Sequence, residues 1–162
     1  MNISLGKAGF LFFIPALLSV SADLLTKVLT FSFFEQQPAG LEIWSGVLYF
    51  SRAHNTGVAF GMLQGHNNIL GILVGAMAIA IPLYSLWNRK DGPLFLVAMG
   101  LVYGGALGNL YDRWAIGYVR DFIDVRFGSY HYPVFNIADS FICIGVALML
   151  IQNVFLGRPN SE

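Results

Sequence analysis

The chain has 162 residues, of which 56% are hydrophobic and 11% charged, well under the charged share of roughly one quarter that a water-soluble domain carries; composition therefore excludes an ordinary soluble globule and points to lipid. Lysine plus arginine equals aspartate plus glutamate at nine each, so no net field recruits nucleic acid and no basic run makes a polybasic lipid tether. A spanning helix takes about 20 mostly apolar residues, so four spans with modest connections use most of the length as one membrane domain over residues 1–162.

In chain order, the first apolar run predicts a span over 8–29. It follows Lys7 as a signal peptide would, but it has no small-x-small cleavage end and carries Asp23 and Lys27, so it reads as a retained helix. Residues 30–67 are rich in aromatic and β-branched side chains (Leu41-Glu42-Ile43-Trp44, Val47-Leu48-Tyr49-Phe50-Ser51) and broken by Pro38, Gly40 and Gly46, which predicts a small sheet at the membrane surface. The second span, 68–87, ends at Asn88-Arg89-Lys90-Asp91-Gly92-Pro93, a short turn between antiparallel helices. The third, 93–112, holds Gly104 and Gly108 one turn apart, where a neighbouring helix can approach closely. Residues 114–135 contain a strand pattern, Tyr118 to Val125, then the turn-prone Gly128-Ser129. The fourth span, 136–156, opens with Asn136 as N-cap and precedes a polar tail. The single cysteine, Cys143, has no intramolecular disulfide partner and is expected to be a small core residue.

Four spans put residues 30–67 and 114–135 on one side of the bilayer, with the termini and the 88–93 turn on the other. Counting lysine and arginine does not orient the chain, since both sides carry a similar number. The five opposite-side cations stand beside acids or polar clusters, which leans towards cytoplasmic termini.

The chemistry gathers on that same side. Asp23 and Lys27, four apart, share a helical face, as an ion pair that makes buried charge tolerable or as a wall of a site. Asn55-Thr56-Gly57-Val58-Ala59-Phe60-Gly61 is a turn or part of a site, with Trp44 and Phe60 as a lid or as interface anchors. Asn109, Asp112 and Arg113 share a helix face, and Arg113 can offer its fork to a carboxylate or a peptide carbonyl; Asp112 reads equally as an interface anchor. Strand alternation sends Asp121 and Asp124 to opposite faces, so one of them should reach the site. Asp139, third residue of the last helix, is favoured there by the helix dipole.

Metal hydrolysis has no His-Glu-x-x-His pattern to use, and His54, His66 and His131 are scattered without ligand spacing. Serine and cysteine routes lack a base beside the nucleophile. What remains abundant is carboxylate, and two carboxylates sharing a proton can activate water and protonate a leaving amine near neutral pH. The same acids would also suit a proton- or cation-coupled carrier, although no internal repeat is visible. A lipid-modifying transferase would place its metal-holding acids on the cytoplasmic side, opposite to where these cluster.

Five ordered blocks, Asp23-Leu24-Leu25-Thr26-Lys27, Asn55 to Gly61, Gly104 to Arg113, Val119-Arg120-Asp121-Phe122 and Phe135-Asn136-Ile137-Ala138-Asp139, cover nearly the whole chain and resemble the bacterial lipoprotein signal peptidases, signal peptidase II, of the aspartic peptidase family A8. The resemblance implies an inner-membrane α-helical aspartyl endopeptidase, four spans with a small periplasmic sheet, that cuts diacylglyceryl-modified prolipoproteins just before the lipidated cysteine. It implies Asp121 and Asp139 as the catalytic pair, with Asn55, Gly57, Asn109, Arg113 and Asn136 around the substrate and Asp23, Lys27 and Asp112 in support. It further implies inhibition by globomycin-type compounds and a site open to the periplasm; a monomer in membrane lipid, with no metal and no cofactor, is the accompanying expectation. Asp139 at the helix start is expected to be the initial base, and Asp121, shielded by Phe122 and the lipid edge, the acid. The chain departs from the family's pattern at Leu24, where a polar residue is common, and at Arg120, where an apolar one is. Arg120 is expected to face away from Asp121.

Overall fold

The computed structural model describes residues 3–57 and 63–156. Helix α1 runs from Leu5 to Gln36, capped by the Ser4 hydroxyl, which accepts from the Lys7 amide. It continues seven residues past the predicted end at 29 because nothing between 30 and 37 breaks a helix; Pro38 and Gly40 come first. Strands β1 (Leu41–Trp44) and β2 (Leu48–Asn55) follow, so the strand-rich stretch begins at 41 and its predicted first residues belong to α1. Helix α2 (Asn67–Trp87) and α3 (Pro93–Ala115) are joined by a single tight turn, Arg89–Asp91, after which Gly92, at φ 107°, hands over to Pro93 at the first helical position. Then come β3 (Val119–Phe127), the two-residue β4 (Tyr130–His131) and α4 (Ile137–Ile151), extended by a π-helical turn over Gln152–Leu156.

Among the described residues, four helices are long and apolar enough to cross a bilayer. Their outer surfaces present large apolar side chains, such as Leu17, Ile72, Ile79 and Leu150, as lipid-facing helices must. α3 is the central helix and packs against α1, α2 and α4. Glycine makes this closeness possible: a Cβ on Gly104 would strike the Ala16 carbonyl and Ser19 of α1, and one on Gly105 would meet the Ala138 carbonyl of α4. On the α2 side, Gly71 and Gly75 leave room for the Trp114 ring. Cys143 is exposed rather than a core residue. The buried stripe of α4 runs through Ala138 and Gly145, one heptad apart, and Cys143 lies off it, on the side turned to lipid.

The four strands form one antiparallel sheet in the order β1-β2-β3-β4. Because β2 pairs with β3, the two connecting stretches meet at the same end of the bundle. The sheet is seated on the last turns of α1, where Phe31 and Phe34 pack with Phe122, and the His54 ring stacks between Phe31 and Tyr118. The β2–β3 pairing contains a bulge: Phe50 faces Ile123, but Ala53 faces Asp121, so β2 carries one extra residue between them. That single residue reverses which side chains of β2 share a face with β3. Without it Asn55 would lie on the opposite side of the sheet from Asp121.

Candidate active site

The site is built at the sheet end, where β3, the start of α4 and the last turns of α1 and α3 converge. Asp121 lies on β3 with its side chain buried, and Asp139 is the third residue of α4. The alternation expectation holds: Asp121 turns inward, whereas Asp124 turns to Ser51, 3.0 Å, and to Arg126, 2.6 Å, on the other face.

The start of α4 folds as a capping box. The Asn136 side-chain oxygen accepts from the Asp139 amide at 3.0 Å, and the Asp139 carboxylate accepts from the Asn136 amide at 3.2 Å. Capping therefore uses one Asp139 oxygen and leaves the other to Asn109, whose Nδ2 donates at 2.8 Å. Asn136 also donates its side-chain amide to Asp121 Oδ1 at 2.6 Å, and Asn55 donates to Asp121 Oδ2 at 2.9 Å. Each of the four carboxylate oxygens thus accepts a donor, and Asn136 bonds both acids. The Asn55 side-chain oxygen accepts from the Gly57 amide at 2.9 Å, which fixes the amide orientation. Asn55 itself is the last residue of β2.

Arg113 spans from α3 to this segment, donating to the Gly57 carbonyl at 2.8 Å and to the Asn109 carbonyl at 3.3 Å. Of the two partners expected for its fork, the peptide carbonyl is the one found. The rest of the Asn55–Gly61 block, with Phe60, lies outside the described residues, while Trp44 at the end of β1 is exposed.

Behind the acids stands a fully buried charge cluster. Lys27 Nζ is 2.7 Å from Asp23 and 3.3 Å from Asp112, and it donates to Asn109 Oδ1 at 2.9 Å. Asp23 and Lys27 therefore do form the predicted pair, and Gly108 makes room for it, since a Cβ there would collide with the Asp23 carboxylate. Asp112 is no surface anchor, being buried and bound by Arg120 at 2.7 Å. Arg120 accordingly faces away from Asp121. Sequence reasoning marked Arg120 as an oddity but missed its partner, although an extra buried cation one strand residue from the site was the available signal.

Burial pushes the Asp121 carboxyl up to about 7, with the negative charge of Asp139 adding to the rise and the Asn55 and Asn136 donors opposing it. Near neutral pH such a group is about half protonated. It can donate a proton in one state and accept one in the other.

The family model described as signal peptidase (SPase) II, peptidase A8, matches residues 15–155. The chain belongs to the signal peptidase II family. Lipoprotein signal peptidases of Bacillus subtilis (strain 168) and Bacillus velezensis are 41% and 40% identical to it, each match covering 94% of this chain and 99% of the relative. Among solved structures, a bacterial membrane enzyme determined by the in meso method at 2.3 Å superposes with a TM-score of 0.73 and 28% identity over 92% of both chains. A second, at 1.9 Å, gives 0.71 and 30% over 88% of this chain and 91% of that one. The signal peptidase II fold, four apolar helices with a small antiparallel sheet, is thus this chain's fold, and the protein is a multi-pass membrane peptidase by family.

Proposed function

We propose that this protein is an aspartyl endopeptidase that removes the signal peptide from diacylglyceryl-modified prolipoproteins, cutting immediately before the lipidated cysteine. The observation that carries the reading is the pair Asp121 and Asp139, bonded to a common residue, Asn136, at one end of a lipid-embedded bundle. The names of the relatives supply the substrate class. In the proposed cycle Asp139 takes a proton from a water as its oxygen attacks the scissile carbonyl carbon, and protonated Asp121 gives its proton to the carbonyl oxygen. Collapse of the tetrahedral diol breaks the C–N bond, passes the proton held by Asp139 to the leaving amine and returns one to Asp121. Asn55, Gly57, Asn109, Arg113 and Asn136 hold the acids and the substrate backbone. Asp23, Lys27 and Asp112 stand behind them.

The same reading places the protein in the bacterial inner membrane as one unit over residues 1–162, termini cytoplasmic and sheet periplasmic. Globomycin-type compounds occupy the site as blocked substrates. The test is incubation of the purified protein with a diacylglyceryl-modified prolipoprotein, with and without globomycin, read by mass spectrometry. The expected result is a mass loss equal to the signal peptide, suppressed by globomycin and unaffected by EDTA. An uncut substrate overturns the reading, and activity lost to EDTA and regained with a metal overturns the metal-free mechanism.

A further inference from the structure

Lys27 Nζ stands in ion pairs with Asp23 on its own helix and with Asp112 on α3, and it donates a hydrogen bond to Asn109 Oδ1. The far side of each of the two carboxylates is equally specific. Asp23 Oδ1 accepts the backbone N–H of Ala138 at 2.9 Å, and Asp112 Oδ2 accepts the backbone N–H of Arg120 at 2.9 Å. Ala138 is the residue immediately before Asp139, and Arg120 the residue immediately before Asp121. One ammonium group therefore stands between two carboxylates, each of which grips the chain one residue ahead of one of the paired acids.

Stability alone is a poor account of this arrangement. Lys27, Asp23 and Asp112 are completely buried, and well-packed apolar residues of similar volume are often as stabilising as a buried ion cluster. What apolar residues cannot do is accept two backbone N–H groups that belong to separate elements, β3 and α4, and hold them at a fixed separation. The Lys27 hydrogen bond serves the same end, because Asn109 Oδ1 also accepts from Asn136 Nδ2 at 3.0 Å, and these two asparagines hold Asp139 Oδ1 and Asp121 Oδ1. Arg120 closes the ledger of charge by binding the outer oxygen of Asp112.

Resting on the functional reading above, we propose that Lys27 is a positioning residue: with Asp23 and Asp112 it forms a clamp that sets the separation of Asp121 and Asp139 by fixing the peptide N–H immediately ahead of each. The clamp touches neither substrate nor reacting atoms, so its loss acts on the chemical step and not on substrate capture. A displacement near 1 Å in such geometry costs on the order of 10²-fold in rate.

The test compares kcat and KM for cleavage of a diacylglyceryl-modified prolipoprotein by wild type, Lys27→Met, Asp23→Asn, Asp112→Asn and the double Asn variant, each normalised to folded protein by thermal unfolding in detergent. Asparagine keeps an acceptor oxygen for the N–H while losing its charge attraction to Lys27, so the Asn variants remain readable where Lys27→Met does not fold. The expected result is a kcat lowered about 10²-fold in Lys27→Met with KM within about threefold. The two Asn substitutions are expected to be non-additive, the double variant being little worse than the poorer single one, because both act through one lysine. A kcat per folded molecule equal to wild type, a rise confined to KM, or strictly additive Asn losses overturns the proposal. A wild-type protein that leaves the substrate uncut removes the functional reading as well, whereas normal wild-type cleavage with an unimpaired clamp variant removes the clamp alone.

Discussion

Asp121 and Asp139 differ in how they are held, and that difference carries the predictions at the scale of single residues. Asp139 shares its oxygens between a cap and Asn109, while Asp121 takes two side-chain amides in a buried strand. Asp121→Asn and Asp139→Asn are expected each to lower kcat per folded molecule by roughly 10²- to 10⁴-fold, since Asn keeps the shape of the carboxyl but can neither take nor give the proton. Turnover near the wild-type rate by either variant would remove that residue from the pair. With Asp121 raised to about 7 and needed as the acid, the cleavage rate should fall as pH rises above about 7, roughly tenfold per pH unit. The same shift has a sign for stability. The folded carboxyl holds its proton more tightly than the unfolded one at 3.8, so the protein loses stability as pH climbs from the unfolded value to about 7, and Asp121→Asn removes that slope. At this scale the sequence was informative about the acids and the asparagines, because residue types that lipid penalises stand out against an apolar background. It was silent about Arg120 binding Asp112 and about Asp23 reaching the amide of Ala138, since those contacts cross from one element to another.

Elements are placed by glycine contacts and by one bulge. The α1–α3 approach depends on the missing side chains of Gly100, Gly104 and Gly108, so Gly104→Val forces a Cβ into the Ala16 backbone. Such overpacking should cost about 1–3 kcal/mol, seen as a lower unfolding temperature in detergent. Gly9→Ala, where the new Cβ meets only Phe13 at 4.0 Å, should leave that temperature unchanged or raise it slightly; equal losses in both variants would refute the close-approach account. The four spans were legible because each is a long apolar run bounded by breakers, and the glycine spacing in α3 disclosed a contact face. Span ends were less so: α1 continues to Gln36 through Phe33 and Phe34, residues equally at home in a strand. The extra residue of β2 near Ser51 has no signature in composition. Yet it decides that Asn55 reaches Asp121.

For the whole molecule, the sheet joins both long connections at one end, and the Arg89–Asp91 turn occupies the other. With Cys143 replaced by alanine, a cysteine at Ser45, in the exposed β1–β2 turn, should react with a membrane-impermeant maleimide on spheroplasts, and one at Lys90 only after lysis. The reverse pattern would invert the proposed orientation. Charge counting was undecided on this point because three of the cations beside the sheet are spent on acids, Lys27 and Arg120 on Asp112 and Arg126 on Asp124, rather than on the bilayer. The length of α1 adds a matter of depth. Its 32 residues extend about 48 Å, against an acyl core about 30 Å thick. With Leu5 at one edge of the acyl core, Asp23, about 27 Å along the helix, would stand close to the opposite edge, and the acids with it. In the proposed reaction a site at that depth would let the two reactants of a hydrolysis arrive by perpendicular routes, an apolar peptide sideways through the acyl layer and water down from the headgroups, with neither entering the other's solvent.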